Sequence, residues 1–279
     1  MSASILTPVA PLVLLLVAVP LHLAGAVLSF WRKSVNAGGA LTGAILGIVI
    51  FVSAGPLLWL LFAAFVLSST WFTRLRAPEK EQLSGVLQKS GRRDALQAVA
   101  NGGAGMITAV LLRLTGEPAF AYAFAASLAS ANADTWASEI GVLSRSAPVS
   151  LVRFRPVPRG TSGGVTWLGL GASFGGALLI ALLFSAADAL FASGLSEAAR
   201  GLGLVTGVGV LGALADSLLG CTVQAQYVTS RGSHTERRLS EGSPNTLVRG
   251  LSFVTNDAVN FLSTAAAAAG GALLFLLAR

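Results

Sequence analysis

The chain has 279 residues, of which 54% are hydrophobic and 11% charged, with a net charge of +7. Soluble domains carry roughly 25% charged residues, and the longest polar stretches here run to only about 20 residues, so a free-standing soluble domain is excluded and a single polytopic membrane domain over 1–279 is predicted. One cysteine and two distant histidines exclude an intrachain disulfide and argue against a zinc site, leaving hard cations on oxygen ligands as the metal class.

Eight apolar segments predict an all-α membrane helix bundle. The first covers about 8–30; no basic residue precedes Arg32, so it reads as a retained span and not a cleaved leader. The second, about 37–54, carries Gly39, Gly43 and Gly47 in one row, which lets another helix come close. Gly55-Pro56 separates it from a third at about 57–73. The second is short, and seven spans result if it is re-entrant. A polar loop at 74–93 leads to the fourth segment, about 94–114, and a turn at Gly116 to the fifth, about 118–143. A basic loop at 144–162 precedes the sixth segment, about 163–187, which ends in a weakly acidic loop with Asp188 and Glu197. The seventh runs about 200–226, followed by a charged loop at 227–250 and an eighth segment at about 253–277.

Eight spans put 16 of the 19 basic residues on one side, leaving only Arg113, Arg200 and Arg279 on the other. The positive-inside rule makes the basic side cytoplasmic and both termini non-cytoplasmic, in what reads as a prokaryotic cytoplasmic membrane. Topology accounts for the excess charge without a nucleic-acid partner. Some of these cations also suit phosphate or anionic lipid.

Polar residues inside the spans are costly and mark sites. Asp94, Gln97 and Asn101 share a face of segment four; segment five carries Asn132, Asp134 and Glu139; segment seven carries Asp216 between Gly212 and Gly220; segment eight opens with Asn256, Asp257 and Asn260. Segments four and eight begin on the basic side and five and seven end there, so these groups share one depth. Glu139 is rotated away from Asp134 and is expected to find another partner. The turn Arg159-Gly160-Thr161-Ser162-Gly163-Gly164, ahead of a helix start, reads as a phosphate cradle. Its Gly-x-Ser-x-Gly pattern lacks the strand and histidine of a nucleophile elbow, and no P-loop pattern occurs. Lys33, Arg92 and Arg93 are further candidates for phosphate.

Five motifs together resemble a known family. They are Gly91-Arg-Arg-Asp94 with Gln97 and Asn101, Asn132-Ala-Asp-Thr-Trp-Ala-Ser-Glu-Ile-Gly141, Arg159-Gly-Thr-Ser-Gly-Gly-Val-Thr166, Ala215-Asp-Ser-Leu-Leu-Gly-Cys-Thr-Val-Gln224 and Asn256-Asp-Ala-Val-Asn260. They look like the membrane family of unknown function that contains animal transmembrane protein nineteen and plant phytyl-phosphate kinase. The resemblance implies a polytopic enzyme that phosphorylates a prenyl or phytyl monophosphate to the diphosphate, with CTP or another nucleotide as donor. On chemical grounds Asp134, Asp216 and Asp257 would act as catalytic Mg²⁺ ligands, with Asn132, Asn256, Asn260 and Glu139 as further metal candidates. Arg159 and the backbone of 160–164 would bind nucleotide, while Lys33, Arg92, Arg93, Asp94, Gln97 and Asn101 would face the lipid phosphate. A transporter or flippase for a lipid phosphate, and a lipid-phosphate cytidylyltransferase, are the alternatives. The first needs a site reachable from both sides.

Overall fold

A computed structural model describes residues 11–75, 92–159, 161–191, 194–240 and 242–278. Seven helices carry the fold among the described residues: α1 (Pro11–Trp31), α2 (Ala37–Arg74), α3 (Ala95–Thr115), α4 (Ala119–Gly141), α5 (Trp167–Phe191), α6 (Gly194–Thr222) and α7 (Asn256–Leu277).

The helix α2 is two rods. Gly55 has φ 81, a left-handed conformation that glycine adopts without penalty, and Pro56 follows where a helix start tolerates it. A straight helix of this length would span about 57 Å. Instead the last residue returns to the turn just before the first: Arg74 Nη2 donates to Ser34 Oγ (2.7 Å) and to the Arg32 carbonyl (2.9 Å). Each arm is about 27 Å long, close to the roughly 30 Å hydrocarbon core. The short second segment is therefore a full arm of a hairpin, and the bundle has eight rods as the hydropathy and charge patterns predict.

Local chemistry sets the helix starts. Asn36 Oδ1 accepts from Gly39 N (2.8 Å) at the head of α2, and Thr255 Oγ1 from Ala258 N (3.3 Å) at the head of α7. Asp94 and Gln97 form a reciprocal capping box at the head of α3, which ends at Gly116 with φ 67. Lys33, with φ 57, takes the same left-handed role after α1.

The middle of the bundle is α4, which packs against α2, α3, α5, α6 and α7. Residues 121–133 are buried without a break. Its alanines let five rods crowd around it, and protein shields it from lipid. By length and composition the other six helices can cross a membrane. Exposed Trp31, Trp71 and Trp167 sit at the same end of α1, α2 and α5, an aromatic belt at the level of the interface.

At that same end the connections fold into short strands, which a purely helical reading omits. Strands β1 (Val149–Ser150) and β2 (Gly164–Val165) pair in antiparallel fashion. Strand β3 (Gln226–Val228) lies between β4 (His234–Thr235) and β7 (Thr246–Arg249), while β5 (Leu239–Ser240) pairs with β6 (Ser243–Pro244). Some predicted boundaries move. The seventh segment ends at Thr222, because Gln226 joins β3, and it begins at Gly194, so Glu197 lies in the first turn of α6 and not in a loop. The sixth reaches Phe191, so Asp188 is no loop residue: it lies on α5, 1% exposed, at the far end of the bundle. A carboxylate in the last turn of an apolar helix reads as a loop when hydropathy alone draws the boundary.

Candidate functional site

A cavity of about 790 Å³ opens at the end that carries the strands. Its lining comes from one end of every helix: the close of α1, both ends of the α2 hairpin, the starts of α3, α5 and α7, and the ends of α4 and α6. The deepest positions are Leu46, Phe62 and Ala213. Leu46 and Ala213 lie about 14 Å from their helix ends along the axis. Among the described residues none from the far end, where Gly55, Gly116 and Phe191 lie, lines the cavity.

Asp134 of α4 and Asp216 of α6 both line the cavity, within electrostatic reach of each other. Asp216 Oδ2 accepts from Ser263 Oγ at 3.0 Å. With its amide nitrogen turned toward the site, Asn260 donates to the same oxygen at 2.9 Å and to the Asn256 carbonyl at 3.2 Å. These bonds leave Asp216 Oδ1 and the Asp134 carboxylate for a ligand. Glu236, from the loop after β4, lines the same space and faces Asp216. Among the described residues no three His, Cys, Asp or Glu side chains form a ready metal cluster. Two acidic groups facing a phosphate-sized space nonetheless fit Mg²⁺, which usually takes one or two carboxylates and completes its shell with water and substrate phosphates.

Among the described residues four cations surround the opening: Lys33, Arg74, Arg93 and Arg159. Arg93 is anchored hard. Its backbone bridges Val35, with Asn36 N donating to the Arg93 carbonyl (2.9 Å) and Arg93 N to the Ser34 carbonyl (3.1 Å). Its Nη2 donates to Thr73 Oγ1 (3.2 Å), and Thr73 donates in turn to Glu139 Oε1 (2.7 Å). Burial pushes the Arg93 pKa below its ordinary value, while the Glu139 charge works against that and favours the cation. Glu139 thus has the separate partner its rotation predicts. It lines the cavity beside Arg93, on a different face from Asp134. Arg159 Nη2 donates to the Arg145 carbonyl (3.1 Å), which fixes that side chain across the loop.

Other predicted site residues stand elsewhere. Asn132 is fully buried behind the cavity wall, and both ends of its amide are used. Nδ2 donates to the Gly176 carbonyl (2.8 Å), and Oδ1 accepts from Ser68 Oγ (3.0 Å). It ties α2, α4 and α5 together and leaves the metal set. Asp257 and Arg92 are absent from the lining. Asp257 lies in the first turn of α7, where the helix dipole favours an acid, and Arg92 is exposed. Asp94, Gln97 and Asn101 do line the cavity, but as helix-start groups: the first two make the capping box, and Asn101 Nδ2 donates to the Gln97 carbonyl (3.0 Å).

The glycine-rich turn is docked on α6. Gly163 has φ 75, and a Cβ there would run into the Ser217 carbonyl and Cys221. Ser162 Oγ donates to Gln224 Oε1 (2.8 Å), Gly164 N to the Thr161 carbonyl (3.0 Å), and Gly169 N to Thr166 Oγ1 (3.0 Å). Several donors of the expected cradle are therefore already committed, although Thr161, Ser162, Gly163 and Gly164 all line the cavity. Gly160 lies outside the described residues. Sequence reasoning missed Arg74, Glu236, Ser173, Ser217 and Ser263. The row Asn256, Asn260, Ser263 on one face of α7 was a usable signal. Nothing marked Glu236, which reaches the site only because the strands bring its loop back.

The chain matches, over residues 20–268, the family described as Integral membrane protein DUF92. It belongs to that family. Protein PGR of Arabidopsis thaliana is 30% identical over 256 residues, covering 84% of this chain and 87% of the relative. An uncharacterized membrane protein of Synechocystis sp. is 28% identical over 142 residues, 50% of this chain and 55% of the relative. An uncharacterized membrane protein of Methanocaldococcus jannaschii is 33% identical over 105 residues, 38% of this chain and 41% of the relative. No solved structure matches the chain. The family agrees with the resemblance carried by the motifs, and the matched region includes every residue that lines the cavity.

Proposed function

We propose that the chain is a membrane-embedded phosphotransferase that moves the terminal phosphoryl group of a nucleoside triphosphate, CTP foremost, onto a prenyl or phytyl monophosphate. The observation that carries the reading is the pairing of Asp134 with Asp216 in a one-ended cavity whose opening holds Lys33, Arg74, Arg93 and Arg159. Phosphoryl transfer asks a protein mainly for positioning and charge neutralisation. An acceptor oxygen of the monophosphate attacks the γ-phosphorus. The bond from γ-phosphorus to the β,γ-bridging oxygen breaks, and the nucleoside diphosphate leaves with that electron pair. The acceptor is already anionic, so no side chain has to take a proton.

Asp134 and Asp216 would hold Mg²⁺, with Asn260 and Ser263 fixing the orientation of Asp216. Bound there, the ion would offset the charge of the nucleotide phosphates. Arg93 and Lys33 hold the lipid phosphate, and Arg159 with the 161–164 turn borders the nucleotide. Under the positive-inside rule the site end faces the cytoplasm, where the soluble donor is found. A transporter site is expected near the bilayer midplane, whereas Asp134 and Asp216 lie only about 9–11 Å from the site-end termini of their helices.

The test uses the full chain in nanodiscs with Mg²⁺, CTP or ATP labelled in the γ-phosphate, and phytyl or geranylgeranyl phosphate. Label is expected in the diphosphate product, with Asp134→Asn and Asp216→Asn each losing at least about 100-fold in kcat. Absence of label transfer from every nucleotide tried overturns the proposal. Transfer of the nucleoside monophosphate to the lipid, with the γ label leaving in pyrophosphate, would point to a cytidylyltransferase instead.

A further inference from the structure

The cavity changes character with depth. Along the second arm of α2 the lining residues run Thr73, Thr70, Val66 and Phe62. Their three- and four-residue spacing keeps them on one face, polar at the opening and apolar below. The first arm repeats the gradient. Lys33 and Ser34 stand at its head, Gly43 and Leu46 follow inward, and Phe65 faces them from the other arm. From Arg74 to Phe62 the groove descends about 18 Å.

The glycine row of the first arm resolves into three different jobs. A Cβ at Gly39 would strike the backbone of Arg93, and one at Gly47 would strike the His22 ring. Those two glycines serve packing. A Cβ at Gly43 would meet no atom within 4 Å, and Gly43 lines the cavity. Leu46 and Phe62 close the bottom, both backed by Gly102, whose Cβ would lie 3.1 Å and 3.6 Å from them.

We infer that the trough between the two arms of α2 is the subsite for the isoprenoid chain of the acceptor, with Gly43 on its wall and Leu46 and Phe62 setting its depth. This rests on the phosphotransferase reading for the identity of the occupant. The argument for one amphiphile is continuity: the apolar trough and the cationic opening belong to a single cavity. A phosphate held by Arg93 and Lys33 at the top leaves its hydrocarbon chain to run inward past Gly43.

The test compares a C20 acceptor, geranylgeranyl phosphate, with a C10 acceptor, geranyl phosphate, in the transfer assay. Gly43→Phe fills the trough and is expected to raise KM for the C20 acceptor roughly tenfold or more, with a clearly smaller rise for C10, whose shorter chain loses less buried contact. Leu46→Ala deepens the trough and should move preference toward the longer chain, which also answers the objection that Gly43→Phe merely misfolds. Equal effects of Gly43→Phe on both acceptors, or none, overturn the subsite while leaving the transfer reaction intact. If the wild-type chain transfers no phosphoryl group, a C20 monophosphate with a photoreactive chain end gives a separate readout. Crosslinks confined to the two arms of α2 keep the trough as a prenyl-chain site, and crosslinks elsewhere overturn it.

Discussion

Replacing Asn132 with alanine separates a structural amide from a metal ligand. The side chain makes two firm interhelical bonds, to the Gly176 carbonyl at 2.8 Å and from Ser68 Oγ at 3.0 Å, and Ser69 Oγ lies 3.5 Å from the same oxygen. Side-chain bonds between membrane helices average about 0.6 kcal/mol and reach about 1.7 kcal/mol. Two such bonds make the loss about 1–3 kcal/mol. Ser68 keeps other partners, since Trp136 Nε1 donates to it (3.1 Å) and its hydroxyl lies 3.4 Å from the Phe65 carbonyl. The Gly176 carbonyl lies inside α5 and keeps its own helical bond, so neither partner is left wholly unpaired and the expected cost stays within that range. Asn132→Asp should be worse than alanine, because a carboxylate would then face the Gly176 carbonyl with no donor between them. The assay is unfolding of the purified chain by a denaturing detergent titrated into a mild one, with phosphoryl transfer measured separately on the folded fraction. Lower stability with near-normal specific activity is expected. Unchanged stability with loss of Mg²⁺-dependent activity would refute the reasoning and return Asn132 to the ligand set.

Three further outcomes follow from the same geometry. Arg93→Gln should raise KM for an anionic substrate roughly tenfold or more, through loss of charge-assisted bonds, whereas Arg92→Gln, whose side chain is exposed and off the cavity, should leave it unchanged; equal effects at the two positions would contradict the assignment. Gly163→Ala puts a Cβ against the Ser217 carbonyl and Cys221 at φ 75, so a stability loss of about 1–3 kcal/mol in the same detergent titration and weaker nucleotide binding are expected. Glu139→Gln keeps an oxygen for Thr73 but removes the charge beside Arg93. With that negative charge gone, binding of a lipid phosphate at Arg93 should strengthen while the number of Mg²⁺ ions bound stays unchanged, and loss of a bound Mg²⁺ would restore Glu139 as a ligand.

Much of the architecture is legible in residue patterns because a bilayer leaves few choices. Apolar runs of rod length, the Gly55-Pro56 break and the one-sided cations together specify the eight rods. The i+4 rows then bring Asp134, Asp216 and Asn260 to one depth. What stays hidden has physical causes. Asn132 and Asp134 sit two residues apart on one helix, and that step turns the side chain through about 200°, from the cavity into the packed interior. A motif string contains both without distinguishing them. Asp257 shares the depth of Asp216 but points another way from the first turn of α7. Glu236 joins the site through strand pairing between distant residues, which has no local signature. The glycine-rich turn reads as an open cradle until α6 is known to lie beneath it.

The burial of α4 has a consequence for how the chain is made. A helix that must enter lipid on its own needs enough apolar surface to leave the translocation channel. This one, with Ser127, Ser130, Asn132, Asp134 and Glu139 along it, is the rod whose composition falls short of that of the other six helices. Its final environment is supplied by α2 and α3, made before it, and by α5, α6 and α7, made after it. The residues that suit it to chemistry thus make it a dependent passenger during membrane insertion. Assembly of the site should finish only once the last helix has been synthesised and has closed around it.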